Sequence, residues 1–166
     1  MRYIDFFFLG HAINPNSGPK DPLYPPPQGR APDATYTLQT NNESALLYRL
    51  NGDYNPLHAD PAVGKKMGFR NEIMHGLFSW NSTAHGILSV LGGSDPANLK
   101  EFQARFASPV LPGDKLVTLM WRMGGGAADA DGFEEVRFVT NVEGGKQVLS
   151  NGRALVRVVA KKGSKL

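Results

Sequence analysis

The sequence predicts an α+β fold in which an antiparallel sheet wraps around one long central helix. The first sign is the segment from Met74 to Leu91, where Leu77, Phe78, Trp80, Ala84, Ile87, Leu88 and Leu91 cover most of a helix circumference. A long helix with little solvent exposure follows, closed by Gly92-Gly93. The second sign is a series of four β-type runs after it: Phe102 to Ser108, Leu116 to Met123, Phe133 to Val142 and Gln147 to Val159. Pro-Gly, Gly-rich and Gly-Gly turns separate them, which reads as an antiparallel meander. The third is size. A chain of 166 residues with 41% hydrophobic and 20% charged side chains has room for one core and not for two.

Taken in order, the chain opens on Tyr3-Ile4-Asp5-Phe6-Phe7-Phe8-Leu9, a β-rich apolar run with no partner immediately after it. Seven of the 12 prolines then lie between Pro15 and Pro32, so this stretch holds neither a regular helix nor a central strand and serves as a linker or wrapping arm. Residues 1–32 are therefore assigned to a strand remnant and arm, 33–160 to the compact domain and 161–166 to a flexible tail. Within the domain, Asn42 to Leu50 reads as a short helix with Asn41 or Asn42 as its cap and Gly52 as its stop. Asp60-Pro61 is a cap followed by a first-turn proline, opening a second helix that Gly68 ends.

Composition narrows the function classes. The net charge is +3, but the basic residues are scattered singly or in pairs such as Lys65-Lys66 and Lys161-Lys162, without the stripe that tracks a nucleic acid backbone. An anionic small ligand fits this balance better. With no cysteine, disulfides, thiol nucleophiles and thiolate metal sites are excluded together. No apolar run reaches the length of a membrane-spanning helix, and Phe6 to Leu9 does not make a signal peptide, so a soluble, intracellular protein with no membrane partner is expected.

The chemistry concentrates in Gly52-Asp53-Tyr54-Asn55-Pro56-Leu57-His58-Ala59-Asp60. Pro56 fixes its own φ and pushes Asn55 into an extended conformation, so the loop is stiff and its side chains have preset directions. A carboxylate and an imidazole converging on one point share a water, one accepting its proton and the other donating to a substrate, which is the minimum machinery for adding or removing water. The residues alone also allow a plainer account: Asp53 caps a turn, Asn55 makes an Asx turn and His58 is structural.

The wider string decides between these accounts. Tyr48-Arg49-Leu50-Asn51-Gly52-Asp53-Tyr54-Asn55-Pro56-Leu57-His58-Ala59-Asp60-Pro61, followed by Gly68-Phe69, Ile73-Met74-His75-Gly76-Leu77, Ala104-Arg105-Phe106-Ala107-Ser108-Pro109-Val110 and Pro112-Gly113, closely resembles the second-type, (R)-specific enoyl-CoA hydratases. These carry a MaoC-like hotdog domain, and the resemblance includes the hydratase part of the peroxisomal multifunctional enzyme of β-oxidation. The resemblance extends from about Pro32 to Val159. It implies that Asp53 and His58 are the catalytic acid/base pair, that Asn55 helps to orient the water, and that Gly76 gives a backbone N–H to the thioester oxygen. Gly76 lies in the first turn of the long helix, where orphan amides and the positive dipole end stabilise an oxyanion. Tyr48 and His75 are placed among the substrate-binding residues, His75 shaping the turn before Gly76. Lys65, Lys66 and Arg105 are candidate coenzyme A phosphate partners, and His85 is expected to be packed within the helix. No metal or redox cofactor is implied.

The sequence departs from the family at Asn51, where a small residue is usual, and at Gly64, where Ala or Ser is usual. The larger departure is that eukaryotic relatives carry two hotdog halves, and the string matches the second; residues 3–30 resemble the end of the first. A lone hotdog domain is expected to pair with a copy of itself, leaving the acyl pocket as the open question. Ser164-Lys165-Leu166 reads as a peroxisomal address for the import receptor. The expected reaction is hydration of a trans-2-enoyl-CoA to the (3R)-3-hydroxyacyl-CoA; a specialised dehydratase or hydratase of a short or unusual acyl thioester and a non-catalytic thioester-binding subunit are the alternatives.

Overall fold

The computed structural model describes residues 22–124 and 131–159. The strand expected over residues 3–9, the start of the Pro-rich stretch and the tail at 161–166 lie outside the described residues. The elements are β1 (Ala34–Gln39), α1 (Ser44–Arg49), α2 (Pro61–Lys66), α3 (Gly76–Leu91), β2 (Leu99–Phe106), β3 (Lys115–Arg122), β4 (Glu134–Val142) and β5 (Gln147–Val156). The strands form one antiparallel sheet in the order β1-β3-β4-β5-β2, with α3 against one face. The expected sheet around a long helix is thus present.

Several details depart from the expectation. A fifth strand, β1, precedes the helices; its Thr35, Tyr36, Thr37 and Leu38 alternate between exposed and half-buried, a period-2 signal overshadowed by the prolines before it. The meander covers β3, β4 and β5 only, because β2 pairs with β5 at the far edge and not with β3. Helix α1 starts at Ser44, and neither Asn41 nor Asn42 caps it: the cap position is Glu43, whose side chain makes no capping bond. Asp60 does cap α2, its carboxylate accepting from the Ala62 amide at 2.8 Å.

Helix α3 is less enclosed than its composition suggests. It packs through Ser79, Thr83, Gly86, Ile87 and Leu91, all buried, while Asn81 and His85 face outward. His85 is therefore exposed and not packed, because it lies on the side of α3 away from the sheet. The packed face is small and partly polar so that the helix can approach the sheet closely. Thr83 Oγ1 lies 3.0 Å from Thr140 Oγ1, which lies 2.9 Å from Thr118 Oγ1, so three buried hydroxyls satisfy one another beneath the helix. At Gly86 a Cβ would sit 2.2 Å from Cδ1 and 2.6 Å from Cγ of Tyr36 on β1. Gly86→Ala should therefore destabilise the fold by about 1–2 kcal/mol, since overpacking outweighs the roughly 1 kcal/mol of helix propensity that alanine brings. A melting temperature at or above that of the parent would show that Tyr36 gives way freely.

The arm crosses the sheet face opposite α3. Asn151 donates to the Pro22 carbonyl at 3.3 Å, Arg137 to the Pro25 carbonyl at 3.0 Å and the Trp121 indole to the Arg30 carbonyl at 2.9 Å. Arg153 lies over the Tyr24 ring at 5.2 Å. A segment without regular structure is fixed here by side chains from the outer face of β3, β4 and β5.

Candidate active site

The polar loop runs between α1 and α2. Gly52, with φ +110°, turns the chain out of α1 in a conformation that costs a side-chain-bearing residue more. Asp53 Oδ1 then accepts from the Asn55 amide at 3.2 Å, and Asn55 Oδ1 accepts from the Leu57 amide at 3.0 Å, opening a single 3-10 turn over Pro56–His58. The Asx turn is thus real, and it delivers His58 inward while the Asp53 carboxylate stays 59% exposed.

His58 is buried, and its Nδ1 lies 2.8 Å from the Ile73 carbonyl oxygen. A carbonyl only accepts, so the proton sits on Nδ1 and the lone pair on Nε2. That Nε2 lies 3.9 Å from Asp53 Oδ2, too far for a direct hydrogen bond and close enough for both to hold one small oxygen ligand. His75 precedes α3 in an extended conformation (ψ 137°) and buries its ring against His58, the centroids 3.7 Å apart and the planes at 24°. Its Nε2 donates to the Asp53 carbonyl at 3.1 Å and stands 4.0 Å from Asp53 Oδ2. Burial, reinforced by nearby His58 and Arg49, pushes His75 below the ordinary imidazole range, although its bond to the Asp53 carbonyl and the Asp53 charge oppose this.

The ligand atoms of Asp53, His58 and His75 lie within 4.8 Å of one another. Coordination of one metal ion would need both imidazole lone pairs to converge, whereas the in-plane lone pairs of two stacked rings run side by side. The arrangement suits proton transfer better.

Gly76 is exposed at the start of the 16-residue helix α3. The His75 side chain makes no capping bond, so the first-turn amides of Gly76 and Leu77 carry no side-chain cap and add to the positive end of the helix dipole. A Cβ at position 76 would lie 3.2 Å from Phe106 Cε1, so glycine keeps both the amide and the space beside it open.

Asp53, His58 and His75 are therefore brought together, with Gly76 next to His75 in the chain. Tyr48 belongs to the packing behind them: its ring lies 5.1 Å from that of His75 and 5.6 Å from that of Phe78, and its hydroxyl accepts from Asn81 at 3.1 Å. Lys65 and Lys66 lie exposed at the end of α2, and Lys65 lines a cleft of about 570 Å³ with Arg70, Glu72 and the turn at Leu111–Asp114. Arg105 is exposed on β2, a different element, so the three basic candidates are not contributed by one segment. Two residues escaped the sequence reading. Arg49 stacks over Tyr54 at 5.1 Å and donates to its carbonyl at 3.2 Å, bracing the loop, and Asn81 holds Tyr48. Neither spacing carries a motif that would have found them.

Among known proteins, residues 25–146 match the MaoC-like domain family. The chain belongs to that family. This MaoC-like chain is 53% identical over 142 residues to the probable dehydratase NIT22 of Ajellomyces capsulatus, covering 82% of this chain and 37% of that protein. It is 36% identical over 162 residues to the probable enoyl-CoA hydratase 2 of Dictyostelium discoideum, covering 96% of this chain and 52% of the relative. The structure of full-length peroxisomal multifunctional enzyme type 2 from Drosophila melanogaster superposes with a TM-score of 0.73 at 36% identity, over 86% of this chain and 25% of that one. The chain thus spans between about a third and a half of the length of the curated relatives named here. Its fold is the MaoC-like hotdog, and its family is that of MaoC-like dehydratases and enoyl-CoA hydratases 2.

Proposed function

We propose that this MaoC-like protein adds water reversibly across the double bond of a trans-2-enoyl-CoA to give the (3R)-3-hydroxyacyl-CoA, in peroxisomal fatty-acid β-oxidation. The observation that carries this reading is the Asp53–His58 pair, 3.9 Å apart, with the free lone pair of His58 on the side of the carboxylate and the Gly76 amide close by in the chain. His58 Nε2 takes a proton from water as its oxygen bonds to C3, and that proton passes by way of the Asp53 carboxylate to C2. One water is thereby added, and the pair ends as it began. Negative charge building on the thioester oxygen is met by the Gly76 amide. Asn55 helps to orient the water. These steps need no metal or redox group.

The peroxisomal setting is supported by relatives named as peroxisomal enzymes and by the Ser164-Lys165-Leu166 address expected to engage an import receptor. A second copy of the chain is the partner this reading calls for, since β1 and β2 are edge strands of a single sheet. Acyl chain length is the open variable, and the relative named a probable dehydratase favours a second reading, the reverse reaction on a short or unusual acyl thioester.

The test mixes purified protein with crotonyl-CoA and with a medium-chain trans-2-enoyl-CoA, follows the loss of enoyl absorbance and determines the chirality of the product. The (3R)-hydroxyacyl-CoA is expected. Turnover of the short substrate alone would favour the second reading, and no turnover of any enoyl thioester by folded protein would overturn both.

A further inference from the structure

The imidazole of His75 is buried, yet it is spent on neither solvent nor a core partner of its own. Its side chain is 3% exposed, Nδ1 has no hydrogen-bond partner, and the ring lies against the faces of His58 and Tyr48. Its one polar bond goes to the main chain of Asp53, 22 residues earlier. The other bonds made by the residues beside Asp53 are local: the Gly52 amide to the Arg49 carbonyl, Arg49 to the Tyr54 carbonyl, the Asn55 amide to the Asp53 carboxylate. The far end of the loop is tied separately to Ile73, whose amide donates to the Leu57 carbonyl and whose carbonyl accepts from His58 Nδ1. His75 is therefore the tie between Asp53 itself and the start of α3, and it is also the residue next to Gly76.

We propose that His75 is a positioning residue: by donating Nε2–H to the Asp53 carbonyl and stacking on His58, it holds the acid/base pair at a fixed separation in front of the Gly76 amide. This rests on the hydratase reading of the same site. The bond serves that purpose because it grips the backbone of Asp53 and leaves the carboxylate free to exchange protons. A side chain that gripped the carboxylate would compete with the reaction. The stack acts on the second partner, since His58 is hinged on the Ile73 carbonyl through Nδ1, and a flat neighbour prevents the ring from tipping about that bond. Around His75 the facing charged and titratable groups are Asp53, His58, Arg49 and Tyr48; burial disfavours the imidazolium, so His75 stays a neutral donor where an ordinary histidine would begin to take up a proton. The sign follows: the folded form is at full strength above the ordinary imidazole range and weakens as pH falls through it.

The test compares three substitutions in the full chain. His75→Phe keeps a flat ring against His58 and removes the donor; His75→Gln places an amide N–H near the position of Nε2; His75→Asn places it nearer Nδ1, out of reach of the Asp53 carbonyl. With a trans-2-enoyl-CoA, His75→Phe and His75→Asn should lower kcat about 10–100-fold with KM changed less than about threefold, and His75→Gln should recover most of the loss, at the scale seen when a positioned catalytic group is displaced. Unchanged kcat in His75→Asn and His75→Phe would overturn the proposal, as would a rise in KM at constant kcat, which marks a substrate contact. If His75→Gln melts like the parent and yet is as slow as His75→Asn, the donor is not what matters and the proposal fails. Failure of the hydratase reading shows separately, as an inactive parent.

Discussion

Asp53→Asn and His58→Ala should each remove nearly all hydration activity, by at least about 10²–10⁴-fold in kcat, with the fold intact. The two changes probe different things. The Asp53 carboxylate is mostly exposed, and its Oδ1 accepts a backbone bond that an asparagine oxygen can also accept, so Asp53→Asn should leave the melting temperature near that of the parent. His58 is buried with Nδ1 on the Ile73 carbonyl, so His58→Ala also leaves that carbonyl unpaired and costs about 1–3 kcal/mol. His58→Asn separates the two effects: its amide sits near Nδ1 and restores the bond to Ile73, but nothing replaces the Nε2 lone pair. The expected result is recovered stability with no recovered turnover. More than about a tenth of parental activity in both Asp53→Asn and His58→Asn would remove these residues from the chemistry.

The largest loss of stability should come from Phe138→Ala. Phe138 is fully buried in the middle of β4, stacked on Phe102 of β2 with ring centroids 5.0 Å apart. It fills the space beside Gly152 of β5, where a Cβ would lie 2.6 Å from the Phe138 ring. One side chain thus joins three strands. Its truncation should cost about 3–5 kcal/mol, measured by chemical denaturation. The consequence reaches the site, because Phe102 packs against Trp80 and the next aromatic along β2, Phe106, lies beneath Gly76. A loss under about 1 kcal/mol would mean that the surrounding strands collapse onto the space with little penalty.

Local signals were legible in proportion to how local their cause is. Asp60-Pro61 marked the start of α2 because a cap and a first-turn proline act within one turn, and the Asx turn at Asn55 was equally readable. The start of α1 was misplaced, since Asn41 and Asn42 are both capping types and the actual cap position depends on how the chain leaves β1. The order of the sheet was not legible. Four β-type runs in sequence suggest a meander, but β2 emerges from the end of α3 on the far side and finds β5 there. His85 looked packed because α3 is apolar around most of its circumference, and only the position of the sheet shows which side faces outward.

The amino-acid sequence by itself determined the residue types of the chemistry, the stiffness of the loop that bears them and the long helix that presents Gly76, because each rests on neighbours a few positions apart. Tertiary structure alone decided the rest. It brings His58 to the Ile73 carbonyl, which fixes the lone pair on Nε2, and His75 to the carbonyl of Asp53 and the face of His58. These contacts join residues 15 and 22 positions apart across the end of a helix, and no periodicity or turn rule acts over such separations. They exist only once α3 is seated on the sheet, since burial is what directs both imidazoles to backbone carbonyls in place of water.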